Sequence, residues 1–189
     1  RREAWTWGHM ALTRARVITG PAELRARVDR AIREALTLPR DQARIAADVR
    51  DMRQRIENEK GTQDIWDLKQ VRGGLVDLEF IAQYLQLIHA HRHPDVPSTN
   101  TVTALSNLQQ AGLLSPAASE VLLPAAKLLN NLTQILRLCV EGAFSPQTAS
   151  EGLRALLSRA GEAPSFSSLE ADLKARQASV HGLFETLIV

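Results

Sequence analysis

The chain has 189 residues and a mass of 20.9 kDa, enough for one sizeable domain or two small ones. Hydrophobic residues make up 44% and charged residues 23%, the balance of an ordinary globular protein that needs no covalent staples. No apolar run approaches the ~18 residues that span a bilayer and no signal-peptide pattern opens the chain. The single cysteine, Cys139, excludes an intramolecular disulfide and a cysteine-rich zinc site, so the expected setting is a reducing cytoplasm with no membrane partner.

The net charge of +2 is unevenly distributed: residues 1–60 carry 14 Lys/Arg against 9 Asp/Glu, and residues 61–189 carry 9 against 12. A basic half can mark a face for an anionic ligand. Here the acids are interleaved at i,i+4 spacing, as in Asp29–Arg33, Arg44–Asp48 and Asp51–Arg55. That pattern describes helices laced with ion pairs, not a nucleic-acid groove. The chain opens at Arg1 without an initiator Met, as a piece of something longer would.

In chain order, Glu3 to about Thr19 reads as a first helix closed by Gly20, on which Trp5 and Leu12 share a core-facing side. Pro21 starts a second helix with Leu24, Val28, Ile32 and Leu36 in one apolar stripe. After Leu38-Pro39, a third helix carries Ile45, Val49, Met52 and Ile56 on one face and runs to Lys60. Residues 61–74 differ in kind. Ile65 to Lys69 alternates in character and suggests an extended segment, followed by the glycine-bearing turn Gln70-Val71-Arg72-Gly73-Gly74.

From Leu75 to about His91 the pattern is apolar nearly all round, the mark of a helix with neighbours on several sides. Asn100 caps a helix to Ala111, and Pro116 begins a long one to about Glu141 that Pro124 should kink or divide. Cys139 falls on its apolar side as a small buried hydrophobe. Ser145-Pro146 opens a short helix to Arg159, and Ser165 caps the last. The sum is an all-α bundle of seven or eight helices around a central apolar one. We read residues 1–189 as one helical domain: basic N-terminal helices over 1–60, a Lys/Gly-Gly loop over 61–74, and the main bundle over 75–189.

The Gly-Gly turn carries the clearest chemical signal. Gly73 and Gly74 before a helix let backbone N–H groups approach a phosphate, with Lys69 and Arg72 adding positive charge. A tight loop into a helix uses glycines equally well. Asp77 and Glu79, two apart on a helix, diverge by about 200° and cannot share one metal ion. One can face a ligand or partner while the other pairs inside the bundle. Arg14 and Arg16 diverge likewise, leaving one solvated or functional. His89, His91 and His93 alternate at a helix end, but no recognisable metal spacing completes them.

Two stretches resemble the bacterial glutamine-synthetase adenylyltransferase family. They are Ala4-Trp5-Thr6-Trp7-Gly8-His9-Met10-Ala11-Leu12-Thr13-Arg14-Ala15-Arg16-Val17, and Asp67-Leu68-Lys69 followed by Gly73-Gly74-Leu75-Val76-Asp77-Leu78-Glu79-Phe80-Ile81-Ala82-Gln83-Tyr84. They occur in the family's order and at about its spacing, and residues 95–189 carry little of the signature. Gly8 stands where the family usually has an acid.

The resemblance implies a bifunctional parent with two nucleotidyltransferase domains, each followed by a helical domain. That parent attaches or removes AMP on a tyrosine of glutamine synthetase, and glutamine and the PII signalling protein set the direction. The Trp-Thr-Trp opening resembles the half assigned to AMP attachment from ATP with Mg²⁺. This sequence has no Gly-Ser dipeptide and no Asp-x-Asp, the nucleotidyltransferase signature whose carboxylates hold the metal. The resemblance is therefore to the helical domain that follows the catalytic one.

On this reading no residue here is catalytic and none binds metal. Lys69, Arg72, Gly73 and Gly74, with Arg14 or Arg16, are the expected contacts near ATP phosphates. The expected partners are the parent's own nucleotidyltransferase domain, glutamine synthetase and PII. The alternatives are a docking module for glutamine synthetase or PII that never meets nucleotide, and the equivalent domain of a PII uridylyltransferase, which has a similar Lys…Gly-Gly-Leu…Asp stretch.

Overall fold

The computed structural model describes residues 5–189 as eight helices, with no strand among them. They are α1 (Thr6–Leu12), α2 (Ala22–Leu36), α3 (Gln42–Lys60), α4 (Leu75–His89), α5 (Thr101–Gln110), α6 (Pro116–Cys139), α7 (Glu151–Ala160) and α8 (Phe166–Leu187). The expected architecture is the observed one. α4 touches α1, α3, α5, α6 and α8, and 11 of its 15 residues are buried, as an all-round apolar helix requires.

Side-chain caps start the helices, at Asn100 and Ser165 as the sequence foretells and at Ser150, which it does not single out. Asn100 accepts from the Thr103 N–H at 3.0 Å, Ser165 from Ser168 at 3.1 Å, and Ser150 from Leu153 at 3.2 Å. Each satisfies one of the first-turn donors that a helix leaves without a partner. The α4 core is closed by polar contacts to the chain's end. The Tyr84 hydroxyl donates to the Val189 carbonyl at 3.1 Å, and Arg50 donates to the Ile188 carbonyl at 2.8 Å.

Several expectations are corrected. The first helix ends at Leu12, well short of Thr19; its proposed start at Glu3 lies outside the described residues. The Thr13 N–H and hydroxyl both turn back to the Met10 carbonyl, at 3.2 and 2.7 Å. The β-branched Val17-Ile18-Thr19 that follows disfavours helix. Trp5 does not pack in the core but is 77% exposed, with Trp7 also exposed.

Residues 65–69 form turns rather than an extended segment. Asp64 accepts from the Trp66 N–H at 2.9 Å and Asp67 from the Gln70 N–H at 3.1 Å, local bonds that favour a turn over an extended ladder. Trp66 itself is buried in an aromatic cluster, stacked on Phe166 at 5.3 Å and edge-on to Phe144 at 4.7 Å. Its indole N–H donates to Glu170 at 3.0 Å, the polar partner a buried tryptophan needs.

α6 runs unbroken through Pro124, because buried Leu122, Ala125, Ala126, Leu128 and Leu129 hold both sides of the lost backbone bond in the core. Its last turn overhangs, so Cys139 is exposed rather than buried. Ser145-Pro146 forms a turn, and the short helix begins later, at Glu151.

Candidate functional site: the Gly-Gly turn and its arginines

The turn between α3 and α4 wraps around the first residues of α4. The Leu75 N–H donates to the Leu68 carbonyl at 2.8 Å, Val76 to Lys69 at 3.3 Å, and Gly74 to Val71 at 2.9 Å. Gly73 donates to Asp77 Oδ2 at 2.6 Å. The Gly73, Gly74, Leu75 and Val76 N–H groups, which this helix start could offer an outside anion, are therefore occupied within the fold.

Gly73 has a second structural reason. Its φ is +75°, and a Cβ there would lie 1.8 Å from the Gln177 carbonyl oxygen of α8. Only glycine permits that backbone and that approach. The same α8 residue reaches back to the loop, its side-chain amide donating to the Ile65 carbonyl at 2.8 Å. The loop is thus clamped on α8 by backbone proximity and by a hydrogen bond.

Asp77 is fully buried, and its other oxygen is ion-paired with the Arg53 Nε of α3. Arg53 also donates to the Gln70 carbonyl at 3.1 Å. One guanidinium therefore ties α3, the turn and α4 together and gives the buried carboxyl the partner that its burial requires. Sequence reasoning placed one of Asp77 and Glu79 inside the bundle but missed Arg53. The available signal was its position four residues after Val49, on the apolar face of α3.

The remaining expected residues lie on the outer side. Arg72 is ion-paired with Glu57, and Glu185 stands 4.0 Å from its other nitrogen. The hydrogen bond from Arg72 holds the Glu57 carboxyl below its usual range, against the opposing effect of burial. Arg14 is exposed and ion-paired with Glu79. Lys69 and Arg16 are exposed, and neither makes an ion pair with a described residue. The structure brings Lys69, Arg72, Gly73 and Gly74 into one turn, while Arg14 meets the neighbouring α4 surface through Glu79.

Among the described residues, no group of three or more His, Cys, Asp or Glu side chains is gathered to hold a metal ion. Both Asp77 oxygens are engaged and Glu79 faces Arg14, so this donor set does not suit Mg²⁺. No described helix is long and apolar enough to cross a membrane.

The family model described as GlnD PII-uridylyltransferase matches residues 43–188. Among similar curated proteins, a bifunctional glutamine synthetase adenylyltransferase/adenylyl-removing enzyme of Rhodopseudomonas palustris (strain TIE-1) is 56% identical over 99% of this chain and 19% of its own length. Proteins of the same description from Bradyrhizobium diazoefficiens and Xanthobacter autotrophicus are 52% and 50% identical over 98% and 100% of this chain. The chain spans about a fifth, 19%, of the length of each. An all-helical chain that matches the family model from α3 to the end of α8, and these relatives almost throughout, belongs to the GlnD PII-uridylyltransferase family and corresponds to one segment of the glutamine synthetase adenylyltransferases.

Proposed function

We propose that this bundle is the helical part of a longer adenylyltransferase and supports ATP-dependent AMP transfer to glutamine synthetase by packing beside the nucleotidyltransferase domain. The observation that carries this is the match of 98–100% of the chain, at 50–56% identity, to enzymes of that description, in a sequence that itself has no Asp-x-Asp. The metal's carboxylates and the chemical step would reside elsewhere in the polypeptide, which would act in the cytoplasm under PII control. The bundle would supply fixed positive charge at the edge of the nucleotide cleft.

Lys69 is the side chain best placed for that role, because it is exposed and unpaired within the described fold on a turn that Gly73 and Arg53 make rigid. Arg72 would contribute through the Glu57 pair, and Arg16 or Arg14 from α1's side. In the full-length polypeptide, Lys69→Ala is expected to raise KM for ATP about tenfold, the equivalent of ~1.4 kcal/mol, with glutamine synthetase binding unchanged. The purified 189-residue chain is expected to transfer no AMP, and Mg²⁺-dependent adenylylation by it would contradict the assignment.

A second reading has a specific observation in its favour. The N–H groups at the start of α4 are already bonded inside the fold, as expected of a docking module for glutamine synthetase or PII that never meets nucleotide. Unchanged ATP kinetics in Lys69→Ala, with weakened protein binding on substitution of later helices, would select it. The equivalent role in a PII uridylyltransferase rests on the family description alone.

A further inference from the structure

The amphipathic stripe of α2 is covered at its C-terminal end, where Leu36 joins the core and Ile32 packs against it, but not at its N-terminal end. Of Leu24, Val28, Ile32 and Leu36, only Leu36 is buried; Leu24 is 49% and Val28 39% exposed. α2 packs chiefly against the seven-residue α1. A groove of about 410 Å³, lined by Leu12, Leu24, Val28 and Ile32, lies open along it. A lone 15-residue helix is marginal in water and relies on burial of its apolar face.

The exposed large hydrophobics are concentrated here as well. Six of the eight among the described residues lie between Trp5 and Leu38, and the other two are Leu138 and Val189. The family match begins at residue 43, beyond α2, while the adenylyltransferase relatives match through α1 and α2 as well. The uncovered region is thus outside the bundle proper but shared with polypeptides about five times as long, since the chain covers 19% of them.

We infer that Leu24 and Val28, along the groove they share with Leu12, form a docking surface for a neighbouring segment of the same long polypeptide. Arg27 is the one charged residue lining the groove, with no acid beside it, so the docked segment presents an apolar patch edged with a carboxylate. α2 is then an interdomain brace that sets where the bundle sits relative to the rest of the protein. The inference rests on the reading of this chain as part of a longer polypeptide, and not on any contact with nucleotide.

The test uses the full-length polypeptide with Cys139→Ser as background. Single cysteines are placed by Leu24→Cys, Val28→Cys and, as a control, Leu138→Cys, and maleimide labelling rates are read by mass spectrometry of the corresponding peptides. Under native conditions, labelling at 24 and 28 is expected to be at least about tenfold slower than at 138, with all three equal in denaturant. That protection should not change over a hundredfold dilution of about the same starting stock. Labelling at 24 and 28 as fast as at 138 would overturn the proposal. Protection that vanishes on dilution would also overturn it, by making a second copy the occupant. Neither readout involves ATP or glutamine synthetase, so failure here is distinct from failure of the proposed activity.

Discussion

Residues 43–188 and residues 5–38 are both helical and both amphipathic, yet they solve burial differently. In the first region the apolar stripes of α4, α5, α6 and α8 pack on one another, and the buried Asp77 is paired with Arg53. In the second the N-terminal half of the α2 stripe is exposed, and Trp5 and Trp7 stand exposed at the start of α1. The contrast separates two properties that helical periodicity merges. A stripe specifies which face wants cover; only the surroundings specify whether it has any.

The contrast breaks most sharply at Arg53. Arg53→Ala leaves the Asp77 carboxyl buried without its partner, and should destabilise the chain by about 3–5 kcal/mol in urea unfolding. Gly73→Ala is expected to cost roughly 3–5 kcal/mol, combining a positive φ with a clash against α8. Leu132→Ala, in the core, should cost about 2–5 kcal/mol.

Acid pH tests the outer side of the same turn. Because Arg72 depresses the Glu57 carboxyl in the folded state, that contribution is fully present above its ordinary 4.5 and is lost as pH falls through the lowered folded value. The stability difference between the wild type and Glu57→Gln should therefore shrink between pH 5 and pH 3, by under about 1 kcal/mol for a partly exposed pair. The smallest effect belongs to the other region: Leu24→Ala should stay within about 0.5 kcal/mol in the 189-residue chain.

Much of the bundle was legible because its signals are local. Asn100 and Ser165 cap where a short polar residue precedes an apolar run, and the continuous apolar pattern of α4 marks it as central. The divergence of residues two apart separated Asp77 from Glu79. Long-range facts were not legible. The approach of Gly73 to α8 was hidden, because a glycine needed for close backbone packing reads the same as one needed for a ligand. Arg53 drew no reading of its own, since its partner lies 24 residues away. Trp5 and Cys139 follow an apolar pattern and yet are exposed, and Ile65 to Lys69 alternates while Asp64 and Asp67 fold it into turns.

Backbone hydrogen exchange along the 189-residue chain tests the difference between the regions most directly. The α4, α6 and α8 amides and the Gly73 N–H are predicted to exchange only on global unfolding, and α2 amides at least about a hundredfold faster through local opening. α2 amides as protected as those of α4 would contradict the account, because α2 would then be part of the closed bundle.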